Sequence, residues 1–400
     1  MTAGEEAATV EVVLRNDPWV EYNAACFITK FLSFFLSLDK YHVLRVMDTQ
    51  YRKELWRKQL EVEAVSMVAH PRLPAAIIGT MDGRLVFLAV EVPNHSIDLD
   101  DDEDMLKSKV NVKFIGSIFV HSNPIDLIQV DPKNLVCVAV SNEEGTVALV
   151  DVKELAGLRY MDQATVEGRV LDVHLQARNL LVLTTSGGEQ ETYGDLITLL
   201  RIDAKKKTLS VVTVFALAVP ASGLALSENG KFFFSLLYTT KHLAKFPLSE
   251  DEVTAPVSPL ASVPSTHGLG LHMIQVLRLL PFPSPFSFSF PFLLLPLLLL
   301  LLQVTHSGDL ALLGRDGRIS LHRPDLSSLP RVFDLQHYQA GGVIDAHLTP
   351  TGHILSVSGE GSLVLFLRQE PLDYSPELDK AALAALHKMP PIQVTANTRC

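Results

Sequence analysis

Apolar residues fall along this chain in short runs that alternate with polar positions or end at turn residues, and the runs recur in a fixed order. VEAVSMVAHPRLPAAIIGTMDGRLVFLAVE, from Val62 to Glu91, reads as an alternating strand, a proline-containing turn, a second strand, a tight Asp82-Gly83 turn and a third strand. PIDLIQVDPKNLVCVAVSNEEGTVALVDV, from Pro124 to Val152, repeats that order, with Asp131-Pro132 in the first turn and Glu144-Gly145 in the second. GVIDAHLTPTGHILSVSGEGSLVLFL, from Gly342 to Leu367, does so again, with Thr349-Pro350-Thr351-Gly352 and Glu360-Gly361 at the matching places. Fainter copies are VLDVHLQARNLLVLTTS with DLITLLRID, then SGLALSENGKFFFSLLYTTKHLAKFPL, then HMIQ joined across an insertion to VTHSGDLALLGRDGRISLHR. The pattern gives about six units of one supersecondary type, spaced by loops.

Glycine supplies a positive φ in each hairpin turn without steric cost, and the flanking Val, Ile, Leu and Phe suit a pleated, buried surface. Each unit is therefore a short antiparallel sheet. One such sheet cannot bury both faces by itself, whereas a ring of them stacked face to face can. The predicted fold is all-β, a β-propeller. YHVLRVMDTQYRKELWRKQL, Tyr41 to Leu60, has the pattern to supply the outer strands of a further blade, so the ring is expected to hold about six to seven. On this reading residues 1–61 are an N-terminal segment whose later part can join a blade. Residues 62–370 are the propeller, interrupted at 276–303. Residues 371–400 are a tail in which Ala382, Leu383 and Leu386 have helical spacing.

The interruption is LRLLPFPSPFSFSFPFLLLPLLLLLLQ and its preceding valine, Val276 to Gln303, in which every residue from Leu279 to Leu302 is Leu, Phe, Pro or Ser. Its length would suit a membrane helix of ~20 residues. Pro281, Pro283, Pro285, Pro291 and Pro296 oppose that, because each removes a backbone donor and costs ~3 kcal/mol in a helix interior. The four residue types share codons whose first two bases can both be pyrimidines, Val276 fits a splice donor and Gln303 an acceptor. A translated intron is the preferred reading, beside a membrane segment and a disordered insert. Ala25 to Leu38, ACFITKFLSFFLSL, is also apolar, yet it is short and carries Lys30, so it is a poor spanning segment and stands out as a second irregularity.

The formal charge of −11 disfavours a binder of phosphate backbones, and nucleic acid is not an expected partner. Cys26, Cys137 and Cys400 are few, distant and odd in number, without metal-ligand spacing, which fits a reducing compartment. The acidic amino terminus lacks the basic and apolar regions of a secretory signal.

Candidate chemistry is sparse. The acidic run Asp98 to Met105 lacks the Gly turn and distal Glu of a helix-loop-helix calcium site and reads as a solvated loop. Lys205, Lys206 and Lys207 sit at a hairpin position, where charge keeps an edge soluble; the functional alternative is contact with an acidic partner surface. His70, His121, His174, His242, His267, His272, His306, His322, His337, His347 and His353 are scattered through the units without an i, i+4 metal-binding pair, and read as hydrogen-bonded strand and loop residues. Ser186 to Asp195 has glycines but no phosphate-loop Gly-Lys-Ser/Thr, and no Gly-x-Ser-x-Gly elbow occurs. No catalytic residue, metal ligand or cofactor is assigned.

VHSNPIDLIQVDPKN, Val120 to Asn134, and HYQAGGVIDAHLTPTGH, His337 to His353, resemble the histidine loop, apolar strand and proline turn of the WD-repeat family of β-propellers. The resemblance implies that His121 and His337 belong to a structural hydrogen-bond network tying loop to strand. No Trp-Asp pair occurs, so the repeats would be degenerate. Within the family, AHPRLPAAIIGTMDGRLVFLAVE, LYTTKHLAKFPLSE and GEGSLVLFLRQEPLDYSPE are most similar to cilia- and flagella-associated WD-repeat proteins. That implies a noncatalytic scaffold of the axoneme, with dynein-associated proteins as partners, and a longer helical region after the propeller, which Asp379 to Met389 would begin. The alternatives are a propeller-based enzyme whose carboxylates meet in the central channel, and a membrane-anchored adaptor.

Overall fold

Strands are the only regular elements among the described residues, and their apolar runs show why they stack. The computed structural model describes residues 9–12, 20–28, 31–48, 53–92, 110–131, 133–154, 159–176, 178–185, 195–203, 205–227, 229–237, 240–249, 256–264, 271–276, 310–314, 318–327, 331–334, 343–348, 354–358 and 363–369. Strand β1 is Thr9–Val12. The next strands come in consecutive antiparallel fours. The first four are β2 (Tyr22–Ile28), β3 (Phe31–Asp39), β4 (Val43–Asp48) and β5 (Lys53–Gln59); the second are β6 (Ala64–Ala69), β7 (Ala75–Thr80), β8 (Arg84–Glu91) and β9 (Asn111–Phe119). Then follow β10 (Leu127–Asp131), β11 (Val136–Ser141), β12 (Thr146–Asp151) and β13 (Arg159–Thr165), and β14 (Val170–Gln176), β15 (Asn179–Thr184), β16 (Leu196–Asp203) and β17 (Thr208–Ala216). Next are β18 (Ala221–Leu226), β19 (Phe232–Leu237), β20 (His242–Pro247) and β21 (Ala261–Pro264), and β22 (Leu271–Val276), β23 (Leu310–Gly314), β24 (Arg318–His322) and β25 (Arg331–Asp334). The last three, β26 (Val343–Leu348), β27 (Ile354–Ser358) and β28 (Leu363–Gln369), are joined by β1, which pairs with β28 from Thr9 opposite Gln369 to Val12 opposite Phe366.

The described residues thus form seven four-stranded antiparallel sheets in a propeller-like succession. The first strand of each lies beside the first strand of the next, and β26 lies beside β2. Tyr41 to Leu60 supplies β4 and β5, the outer strands of the first complete sheet, as its pattern predicts.

The second strands explain the unbroken apolar runs. In β11, Val136, Val138 and Val140 pack into the seam with the following sheet, while Cys137 and Ala139 pack into the seam with the preceding one. Leu180 and Val182 face one way in β15, Leu181 and Leu183 the other. A strand covered on both faces has no polar alternate, so it reads as a continuous run. The same account covers Ala25 to Leu38. Phe34, Leu36 and Leu38 of β3 pack against the β6 sheet, whereas Phe35 joins Phe27 against Leu355 and Val357 of β27. The described side chains of that stretch, 25–28 and 34–38, are core, with each fully buried Leu or Phe worth roughly 1.5–3 kcal/mol. Fourth strands are at the rim, where β9 and β13 mix exposed and half-buried residues.

Val276 to Gln303 lies almost wholly outside the described residues. The strands around it do pair, with Gln275 opposite Ala311 and Val276 opposite Leu310. Val276, placed in the insertion by the codon argument, is the last residue of β22.

Candidate functional site

Each first strand ends its sheet, so one edge of its backbone has no ladder partner, and buried backbone groups need one. Side chains from the preceding sheet supply it. Ser66 Oγ on β6 donates to the Ile125 carbonyl beside β10 at 2.6 Å. Gln129 on β10 donates from Nε2 to the Val173 carbonyl at 2.5 Å and accepts the Leu175 N–H on Oε1 at 2.7 Å, so one amide fork holds two backbone groups of β14. From β14, Asp172 Oδ2 accepts the Leu224 N–H at 2.7 Å and His174 Nδ1 accepts the Leu226 N–H at 3.2 Å, both on β18.

A repeated bulge lies just before Ser66 and Asp172, whereas β10, which carries Gln129, pairs with β11 without one. The register of the first strand shifts after Ala64, Val170, Ser222 and Val343, and Ser66, Asp172, Leu224 and Asp345 are the residues that follow. A bulge re-aims the side chain beyond it. The sequence repeats the arrangement, since LIQV at Leu127 to Val130 recurs as MIQV at Met273 to Val276, and VLDVHL at Val170 to Leu175 as VIDAHL at Val343 to Leu348. Asp345 therefore holds the register position of Asp172.

Burial pushes the Asp172 carboxyl up to about 7, against the opposing pull of the Leu224 and Val173 amides. Both its oxygens are engaged, Oδ2 by Leu224 and Oδ1 by the Val173 N–H at 2.8 Å. Asp195 is likewise raised by burial, and its Oδ2 accepts the Ala221 N–H at 2.8 Å. Burial also pushes the Cys137 thiol up. Among the described residues no three His, Cys, Asp or Glu side chains converge as a metal site would require.

Histidines tie loops to strands. His121 Nε2 bonds the Ala139 carbonyl at 3.0 Å and Nδ1 bonds Thr146 Oγ1 at 3.0 Å, which is the loop-to-strand role the resemblance implied. His70 Nε2 meets the Val152 carbonyl at 2.9 Å while Nδ1 accepts the N–H of Leu73 at 3.0 Å. Burial holds both imidazoles below their ordinary range. His242 bonds the Thr240 carbonyl and His322 meets Ser320 Oγ. His272 and His347 lie on β22 and β26. His267, His306, His337 and His353, the acidic run Asp98 to Met105 and most of Ser186 to Asp195 fall outside the described residues.

The capping bonds join equivalent positions of neighbouring first strands, Asp172 to Leu224 and His174 to Leu226, so these strands run parallel and the sheet ends share two faces. One face collects the second-to-third connections and the passages between sheets. It bears exposed Glu61, Glu63, Asp82, Glu143 and Glu167, with Asp82 paired to Arg84 at 3.1 Å and Glu143 to Arg169 at 3.4 Å. The other face collects the first-to-second and third-to-fourth turns. Lys133, Lys153, Arg178, Lys205, Lys206, Lys207 and Lys231 are all exposed there. Lys205 to Lys207 form the β16–β17 turn, as predicted; the other four were missed, although their common place in the repeat was readable.

No family model and no curated protein matches the chain. Among the described residues no helix is long and apolar enough to cross a membrane.

Proposed function

We propose that the chain is a noncatalytic protein-interaction scaffold built as a closed seven-bladed β-propeller of degenerate WD-repeat type. The observation that carries this reading is the use of the interior polar groups: Ser66, Gln129, Asp172 and His174 are spent on binding one sheet to the next. Pairing of β1 with β28, and packing of Leu355 and Val357 against the first complete sheet, support closure of the ring through its two ends. The interaction surface is then the loops of the two faces and the rim strands. The resemblance of Val62 to Glu377 to ciliary WD-repeat proteins supports a place in the axoneme of a cilium or flagellum, among dynein-associated partners, in support of beating. A tagged copy expressed in ciliated cells should lie along the axoneme and stay there through detergent extraction. A diffuse, fully extracted signal would overturn the axonemal assignment.

A further inference from the structure

The turns β10–β11, β12–β13 and β16–β17 share a device that the sequence spells Asp-x-Lys: Asp131 and Lys133, Asp151 and Lys153, Asp203 and Lys205. In each, the carboxylate turns inward onto the backbone. Asp131 Oδ1 accepts the Lys133 N–H at 3.0 Å and its Oδ2 the Asn134 side-chain amide at 2.5 Å. Asp151 Oδ1 accepts the Lys153 N–H at 3.1 Å, and Asp203 Oδ1 those of Lys205 and Lys206 at 2.9 and 3.0 Å. The acids stabilise the turns, and the ammonium groups project into solvent. Lys133, Lys153, Lys205, Lys206, Lys207 and Lys231 form no ion pair with any described residue, whereas Lys40, Arg84 and Arg169 on the opposite face each have one.

The basic turns are neighbours. The Arg178 carbonyl in the β14–β15 turn accepts the Ile202 N–H at 2.8 Å, at the end of the strand leading to Lys205. A Cβ built on Gly230, next to Lys231, would lie 3.4 Å from Asn179 Nδ2 in the adjacent sheet. On the other side, Arg72 reaches the Lys133 carbonyl at 3.0 Å. Like charges gathered on one surface repel one another, and an outside anion relieves that repulsion.

We infer that this sector, from Lys133 through Lys205–Lys207 to Lys231, is a docking surface for a carboxylate-rich segment of a partner protein. The inference rests on the scaffold reading and adds the chemistry of the partner. Lysines on flexible stems suit the mobile side chains of a Glu/Asp-rich peptide. A nucleic acid fits less well, because binding gains with the number of phosphates contacted along a continuous basic track. Here the track is broken by exposed Glu154, beside Lys153 in the β12–β13 turn, which a long polyanion would have to pass and a short acidic peptide would not.

The test is fluorescence anisotropy of labelled poly-glutamate with the full chain, repeated with a poly-glutamine control, oligodeoxythymidylate and phosphatidylserine vesicles. Poly-glutamate should bind, with affinity falling as salt rises. Charge reversal at Lys205, Lys206 and Lys207 (K205E/K206E/K207E), or at Lys133, Lys153 and Lys231 (K133E/K153E/K231E), should weaken it by about tenfold or more. K40E/K58E/K241E makes the same change in net charge elsewhere and should weaken it less than about twofold. All three variants should retain the unaltered chain's circular dichroism spectrum. Equal weakening in all three, no binding of poly-glutamate, or tighter binding of the oligonucleotide or the vesicles would overturn the inference. A cross-linked axonemal partner that binds K205E/K206E/K207E as well as the unaltered chain would remove the basic sector while leaving the scaffold reading intact.

Discussion

The carboxylate of Asp172 accepts the backbone N–H of Leu224 across the junction of two sheets, 2.7 Å away. Burial raises this carboxyl to about 7, well above its unfolded range near 3.9. Between those values the folded chain holds a proton that the unfolded chain has lost, so this group's contribution to stability falls as pH rises from about 4 to about 7. Asp172→Asn should remove that slope. Comparing melting curves of the two proteins at pH 5 and pH 8, the unaltered chain should lose its relative advantage over the variant at the higher pH; parallel shifts would show that Asp172 titrates normally.

Histidines 70 and 121 should give the opposite slope. Both are held below their ordinary range by burial, so as pH falls through about 6.5 the unfolded chain takes up protons that the folded chain resists. Their contribution is present above that pH and is lost below it. His121→Asn should be less stable than the unaltered chain at pH 8, with the gap narrowing toward pH 5. A gap independent of pH would mean that His121 titrates alike in the folded and unfolded chain, and a gap widening toward pH 5 that the imidazole carries a proton in the fold.

Gln129 bonds two backbone groups of β14 with one side chain. Gln129→Leu keeps the volume and removes its bonds to the Val173 carbonyl and the Leu175 N–H, each loss costing about 1–3 kcal/mol in a buried setting. Urea denaturation should show a loss of about 2–4 kcal/mol. A change under about 0.5 kcal/mol would indicate that water replaces the amide.

Gly83 has φ 77°, and a Cβ there would overlap the His121 carbonyl, in the passage from one sheet to the next. The Gly83 carbonyl also accepts the N–H groups of Val120 and His121 at 2.9 and 3.1 Å. Gly83→Ala should cost more than the about 1–3 kcal/mol typical of local backbone strain. Gly116, on rim strand β9, has open space where its Cβ would be, and Gly116→Ala should be neutral or slightly stabilising. Equal effects of the two substitutions would show that the Gly83 turn gives way easily.

What the sequence disclosed depended on how local the signal was. Turn residues such as Asp82-Gly83 and the alternating strands beside them mark a unit within about thirty residues, and the sheets built from Val62 to Glu91 and Pro124 to Val152 follow them. Ala25 to Leu38 looked anomalous because both faces of β3 are buried, which erases the period of two that identifies a strand. The pairing of Thr9 with Gln369 joins the two ends of the chain and leaves no local trace. Gln129, Asp172 and His174 also escaped notice as a set. Their signal is the recurrence of LIQV and VLDVHL at matched registers, which becomes meaningful once the edge of each first strand is known to need caps.

The same register allows a sharper test of the Leu/Phe/Pro/Ser run. Val276 stands opposite Leu310 in the β22–β23 ladder. Removing Val276 to Gln303 makes Val304 follow Gln275, so a valine again occupies that position, and Thr305 to Asp309 become the connection to Leu310. That connection equals in length Thr349 to His353, which joins Leu348 to its ladder partner Ile354. Either end of the run can thus complete the same strand, which is what an insertion into a finished hairpin produces. Shortening the connection this far should lower the closure entropy by about 1–2 kcal/mol, and it removes a large apolar segment prone to association. The deleted chain should remain folded, melt at the same temperature or higher, and aggregate less when monitored by light scattering. Loss of the cooperative transition on deletion would show instead that the run contributes to the core.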